Sequence, residues 1–450
     1  MTASRAINIL SITAGAAGMY CGSCSRDNAL AVELLRRGHR VTLLPLYTPT
    51  NPDEANVSRK RVLFGGISIY LQQYSALFRK TPRFLDRLWD NPWVINAFAS
   101  RSLSTDPKLL GDLTISMLEG DRGVLRKEFD KLLDWIADEP VPDVINLPNS
   151  LLIGLARPLR QALKRPVCCT LQGEDLFLNG LVEPYRSRAI DLIRAQVADV
   201  DHFLPVSDYY VPMMSRLLAI PADKISVVPL GINLAGYERR SSADLARRSH
   251  GDGGFNIGYF ARVSPEKGLH VLADAYRLLR ARTQGAKMRL DAAGYMNPAQ
   301  APYLDGIKQG LAGAGLAGEF MYHGAVDRDG KLAFLQTLDV LSVPATYDEP
   351  KGVFLLEAMG EGIPVAQPRR GAFTEIVEKT GGGILVAPDD PQALADGLHA
   401  LWEDPARLAR LGERGFAGVR EHYSITRSTD RLLGVYEQVT QDFRLKAEAT

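Results

Sequence analysis

Short apolar, β-branched runs alternate along this chain with stretches whose apolar residues recur at helical spacing. Ile7 to Ile12 reads as a strand, Asp27 to Arg37 as a helix stopped near Gly38, and Val41 to Pro45 as a second strand. Together they make a βαβ unit, which implies parallel strands joined by a right-handed crossover. Val144–Leu147, Val167–Leu171 and His202–Pro205 read as later strands of the same sheet. A polar stretch at 235–254 contains Arg239-Arg240-Ser241-Ser242 and Gly251-Asp252-Gly253-Gly254, and the alternation then runs from Ile257 to about Val386. From Ser424 the chain is helical, with Leu432, Leu433, Val435 and Tyr436 on one side. The pattern predicts an α/β protein with two doubly wound sheets, since 450 residues are too many for one core.

Residues 64–130 depart from this pattern. Phe64-Gly65-Gly66-Ile67-Ser68-Ile69-Tyr70 has the character of a strand. Beyond it lie Phe78, Phe84, Trp89, Trp93 and Phe98, interrupted by Pro82 and Pro92. An inserted helical lobe with its own small core is one reading. An acceptor groove or a membrane-facing surface is the other, because the aromatic rings and Arg79, Lys80, Arg83 and Arg87 suit either.

Composition narrows the class. The formal net charge is +1 with both signs interspersed, so there is no basic surplus to bind nucleic acid. No run of 18 apolar residues occurs, and Met1 to Arg5 leads straight into the first strand. A cytoplasmic protein without signal peptide or membrane span is expected, with membrane contact at most peripheral. Cys21-Gly22-Ser23-Cys24 has CxxC spacing, but no second such pair or paired histidine accompanies it, so no metal is expected. The glycine-rich loop Ala14 to Gly22 lacks the GxGxxG spacing, and Leu44-Pro45-Leu46 stands where a dinucleotide fold ends its second strand in an acid. That disfavours a dehydrogenase. Gly15 and Gly18 fit close backbone approach to a ligand and equally fit turn glycines.

The candidate chemistry lies in the second half. Glu349 and Glu357 flank Gly352, which reads as a turn before a helix over Val353 to Met359. A helix start offers free N–H groups and a positive dipole end, suited to a phosphate. Carboxylates cannot bind that phosphate but accept hydrogen bonds from hydroxyls. A ligand with phosphates in its middle and hydroxyls at both ends is a nucleotide sugar. Upstream, Arg262 and Lys267 bracket a loop at the carboxyl end of a strand, where α/β sheets bind ligands. Two cations there, the arginine capable of bidentate contact, match a diphosphate. Asp389-Asp390 reads as a helix cap.

These residues, with Asp291-Ala292-Ala293-Gly294, His323-Gly324-Ala325-Val326, Val343-Pro344-Ala345-Thr346, Gly362-Ile363-Pro364-Val365-Ala366 and Glu375-Ile376-Val377 before Gly381-Gly382-Gly383, resemble the retaining GT-B glycosyltransferases of family 4. The match is dense from about 200 to 425 and thinner before. The resemblance implies two Rossmann-like domains facing across a cleft: 1–232 on the acceptor side, with the lobe at 64–130, and 233–425 for the donor. A final helix at 426–450 crosses back to the first domain.

It also implies a site. Arg262 and Lys267 would contact the donor diphosphate, Glu349 the sugar and Glu357 the ribose, with Val326, Gly352, Val353 and Phe354 lining the donor. Gly15 and Gly18 would approach the diphosphate. Arg262, Lys267 and Glu349 carry the catalysis: metal-independent transfer from a nucleotide-diphosphate sugar to a hydroxyl of an unidentified glycan, lipid or small-molecule acceptor. No cofactor is required. Retention by front-side attack fits a first domain with no histidine between His39 and His202. The family often has a histidine where this chain has Gln172, followed by Glu174 and Asp175. These three are acceptor or sugar candidates, and Asp175 doubles as an N-cap for a helix over Leu176 to Leu181. A GT-B epimerase or hydrolase, or a silent sugar-nucleotide-binding protein, remains the alternative.

Overall fold

The computed structural model describes residues 5–15, 22–64, 107–238 and 254–448. They form two compact units, one reaching to Pro229 and resuming at Ser428, the other spanning Leu230–Arg427. The first holds a parallel sheet in the order β2-β1-β3-β4-β5. Its strands are β1 (Asn8–Thr13), β2 (Arg40–Pro45), β3 (Val144–Leu147), β4 (Val167–Leu171) and β5 (His202–Pro205). β1 lies between β2 and β3, pairing Leu10 with Thr42 on one side and Ile145 on the other. Every residue of β3, β4 and β5 is buried, Asn146, Thr170 and His202 included, which explains why they read as mostly apolar runs rather than alternating ones.

The helix between β1 and β2 spans Gly22–Arg36, starting well before the expected Asp27. Its first turns carry Arg26, Asp27 and Asn28, which are buried although polar. Asn28 is bonded to the backbone of Ala55 and Val57. A buried polar face leaves no apolar periodicity to read. Cys24 is buried on this helix, and Cys21 and Gly18 lie outside the described residues. Of the lobe expected at 64–130, the aromatic-rich stretch and the strand candidate beyond Phe64 also lie outside them. Phe64 meets Phe129 edge-on, with ring centroids 5.2 Å apart. Helices at Pro107–Glu119 and Arg126–Ala137 follow. The terminal helix, Ile425–Glu448, buries Leu432, Val435, Tyr436 and Val439, while Leu433 is half-buried.

The second unit holds a parallel sheet ordered β11-β10-β9-β6-β7-β8. The strands are β6 (Phe255–Phe260), β7 (Met288–Ala293), β8 (Phe320–Tyr322), β9 (Val340–Leu341), β10 (Val365–Pro368) and β11 (Gly383–Val386). The chain builds outward from β6 through β7 to β8, then returns to add β9 on β6's other edge. The order therefore reverses between β6 and β9, the kind of switch point at which open α/β sheets bind ligands. Asp390 caps the helix Pro391–Glu403 by accepting from Ala393 N at 3.0 Å, as expected from Asp389-Asp390. No helix among the described residues is long and apolar enough to cross a membrane.

Candidate functional site

Beyond β6 the backbone makes one tight turn, Pro265–Lys267, before the helix Leu269–Arg282. Gly268 joins them at φ 76° and presses on the β9 loop so closely that a Cβ there would stand 1.8 Å from Pro344 O. Thr346 N donates to Glu266 O at 3.0 Å, tying the two loops together. Arg262 precedes this turn and Lys267 ends it, and the two differ in setting. The Arg262 side chain is 51 % exposed and pairs with Glu266, Nη2 to Oε1 at 2.6 Å. Lys267 is 13 % exposed and points toward the β9 loop. Its Nζ donates to the Tyr347 hydroxyl at 2.8 Å and to Glu349 Oε2, and lies 5.0 and 5.5 Å from the ring centroids of Tyr347 and Phe354.

Glu349 is buried in the loop between β9 and the helix Val353–Gly360. Its Oε2 also accepts from the Tyr347 hydroxyl. Burial works to raise its carboxyl pKa, but the charges of Lys267 and Lys351 and the hydrogen bonds from Lys267 and Tyr347 prevail and lower it to about 2. Gly352 then takes a left-handed conformation, φ 65°, that starts the helix. Leu355 N donates to Gly352 O at 3.0 Å. Val353 and Phe354 form its first turn, where backbone N–H groups lack intrahelical acceptors. Glu357 lies further along the same helix, buried, with Lys331 Nζ 2.8 Å from its Oε1. Lys331 belongs to the helix Arg328–Gln336, which Asp327 caps by accepting from Gly330 N at 2.9 Å. Val326 immediately precedes that cap and is half-buried.

The second unit thus brings Lys267, Glu349 and Phe354 together and places Arg262 and Gly352 on the same pair of loops. Glu357 faces Lys331 instead. Sequence reading missed Tyr347 and Lys331. Tyr347 stood two residues from a singled-out glutamate, a signal that was available. Lys331 lies 26 positions from Glu357, at a spacing that no local motif records.

The first-unit candidates are engaged with their own surroundings. Gly15, at φ 88°, lies against Thr48, whose carbonyl oxygen would be 1.9 Å from an added Cβ, so the missing side chain serves that contact. Gln172 Nε2 donates to Pro148 O at 2.7 Å, and its buried Oε1 has no partner among the described residues. Glu174 accepts from Ser150 N, Ser150 Oγ and Gln172 N at 3.1, 2.9 and 2.8 Å. Burial raises its carboxyl pKa. The N-cap expected of Asp175 is corrected: the helix spans Glu174–Gly180, its cap is Gly173, and Asp175 lies within the first turn. There Asp175 Oδ1 accepts from the Tyr210 hydroxyl at 2.6 Å, a long-range bond that outcompetes the local one. Among the described residues, no three His, Cys, Asp or Glu side chains are grouped as metal ligands.

Two family models match the chain. The one described as "Glycosyl transferases group 1" covers residues 244–417, which include Arg262, Lys267, Glu349 and Glu357. The other, "Glycosyltransferase Family 4", covers 117–235. The chain belongs to the family 4 glycosyltransferases. Its similar relatives include the lipopolysaccharide core biosynthesis mannosyltransferase LpsB of Rhizobium meliloti, 30% identical over 41% of this chain and 51% of that protein. The phosphatidyl-myo-inositol mannosyltransferase of Mycobacterium tuberculosis is 29% identical over 50% of this chain and 56% of that one. The chain spans about half the length of the curated relatives it matches. Among solved structures, an Anabaena protein, HepE, crystallised with UDP and glucose, is similar at TM-score 0.66 and 17% identity, over 96% of this chain and 100% of that one. Sucrose-phosphate synthase from Thermosynechococcus elongatus is similar at TM-score 0.68 and 18% identity, over 97% and 100%. At these identities the likeness is one of fold, and this family 4 chain has the GT-B architecture of two Rossmann-like sheets.

Proposed function

We propose that this chain transfers a sugar from a nucleotide-diphosphate sugar to a hydroxyl acceptor, with retention of anomeric configuration and without a metal ion. The observation that carries the reading is the convergence of Lys267, from the loop after β6, with Glu349, from the loop after β9, at the point where strand order reverses. A cation for phosphate and a carboxylate for hydroxyls then meet at one place. The mannosyltransferases among the relatives, and the UDP and glucose named for the Anabaena structure, support a nucleotide-sugar donor.

Charge development assigns the roles. As the bond between the anomeric carbon and the diphosphate breaks, negative charge grows on the leaving phosphate. Lys267 and Arg262 are placed to stabilise it, a contribution of several kcal/mol. Glu349, held ionised, accepts hydrogen bonds from sugar hydroxyls, and Glu357 accepts from the ribose diol. The departing phosphate takes the acceptor's proton, so neither an imidazole base nor a metal is needed.

The test is calorimetric titration of a nucleotide-sugar panel into the protein, followed by initial rates of donor turnover, alone and with glycan, lipid and small-molecule acceptors. Binding of one donor, transfer stimulated by one acceptor, and an unchanged rate in excess EDTA are expected. Turnover lost to EDTA and restored by magnesium or manganese would contradict metal independence. Failure of every donor to bind would sink the reading.

A further inference from the structure

Tyr347 stands between the two groups that the proposed reaction needs most. Its hydroxyl accepts from Lys267 Nζ at 2.8 Å and donates to Glu349 Oε2, the oxygen that Lys267 also reaches. Its ring lies beside the ammonium, with the centroid 5.0 Å from Nζ. Burial and the neighbouring Glu349 charge push the phenol pKa up, so the hydroxyl keeps its proton and remains a donor.

One carboxylate oxygen therefore has two donors with different fates when a diphosphate arrives. A phosphate beside Lys267 competes with Glu349 for the ammonium, because both are anions seeking one cation. The tyrosine hydroxyl is neutral, and the phosphate draws on it far less. Lys351 N reaches Glu349 Oε1 at 3.3 Å. Without the tyrosine, however, Oε2 would keep no donor among the described residues once Lys267 left, and a carboxylate then free to turn or to take up a proton would accept sugar hydroxyls less well. We propose that Tyr347 is a positioning residue for donor-sugar recognition: its hydroxyl holds the Glu349 carboxylate in place while Lys267 turns to the leaving diphosphate. This inference rests on the donor site proposed above and adds a residue that the two-glutamate, two-cation pattern does not contain.

Tyr347→Phe removes the hydroxyl and keeps the ring beside Lys267. UDP with UDP-glucose, and GDP with GDP-mannose, serve as paired probes in calorimetric titrations of wild type and variant. For the pair that binds wild type, the diphosphate Kd should stay within about twofold. The ratio of conjugate Kd to diphosphate Kd should rise about tenfold or more, as expected for a lost hydrogen bond to a charged group. Donor kcat/KM should fall by a similar factor. A side chain that merely packs the loop would move both probes together and lower the melting temperature. An unchanged ratio with wild-type turnover overturns the proposal, and so does equal loss of both probes, which would mean that Tyr347 acts through Lys267. If wild type binds no conjugate at all, the donor-site reading falls and takes this one with it. Conjugate binding by wild type with an unchanged ratio in the variant removes only this one.

Discussion

Glu349 and Glu357 are both buried, and each has a lysine against it, Lys267 and Lys331 respectively. A buried carboxylate left without its cation costs about 3–5 kcal/mol, whereas an exposed ion pair contributes about 0–1 kcal/mol. The two cations of the β6 loop should therefore fail differently. Arg262→Ala breaks a half-exposed pair with Glu266, so its melting temperature should match wild type. Lys267→Ala leaves the buried Glu349 only the positive charge of Lys351 and should lower it. Both should slow donor turnover by about 2–4 kcal/mol of transition-state stabilisation. Adding Glu349→Gln to Lys267→Ala should recover stability without recovering turnover. Thermal melts and initial rates on the four proteins check this, and normal turnover in both single variants would remove the loop from the phosphate site. Arg262, Lys267 and Glu349 were picked out in the sequence because opposite charges stood in loops after strands, and Glu357 because it follows Glu349 on the next helix. Lys331 was not, because its helix meets the glutamate's only in three dimensions. Asp175 was misread as a cap for the same reason: Tyr210, 35 residues away, takes the carboxylate that local rules assign to the helix end.

At the level of elements, the site depends on how closely the loop after β6 can lie on the loop after β9. Gly268 sets that distance by lacking a side chain where Pro344 O would be 1.8 Å from a Cβ. Gly324 has nearly the same backbone angle, φ 75°, with nothing within 4 Å of an added Cβ. Gly324→Ala should therefore cost only the left-handed penalty, about 1–2 kcal/mol. Gly268→Ala should cost more in urea unfolding and reduce donor turnover as well, since it lifts Lys267 from Glu349. Equal costs at the two positions, with turnover intact, would show that the loop contact does not position the lysine. The buried strands Val144–Leu147, Val167–Leu171 and His202–Pro205 were readable to the residue because short, mostly apolar runs stand out from the segments around them. The start of the helix at Gly22 was hidden by its buried polar first turns.

For the molecule as a whole, the alternation of strands and helices foretold two parallel sheets, and both are present. The order of strands within each sheet was not legible, because register and crossover depend on which edge each returning strand joins. That order matters here, since the reversal between β6 and β9 brings the lysine to the glutamate. In the proposed function the second unit reads a nucleotide sugar with two carboxylates of separate duty, Glu349 for the sugar and Glu357 for the ribose. Calorimetric titration of the cognate nucleoside diphosphate, and of its sugar conjugate, into Glu349→Gln and Glu357→Gln tests it most directly. Each lost carboxylate–hydroxyl contact is worth about 1.5–3 kcal/mol, tenfold or more in affinity. Glu349→Gln should weaken only the conjugate, because the diphosphate has no sugar, and Glu357→Gln should weaken both ligands. Equal loss of the diphosphate in the two variants, or its loss in the Glu349 variant alone, would contradict the account.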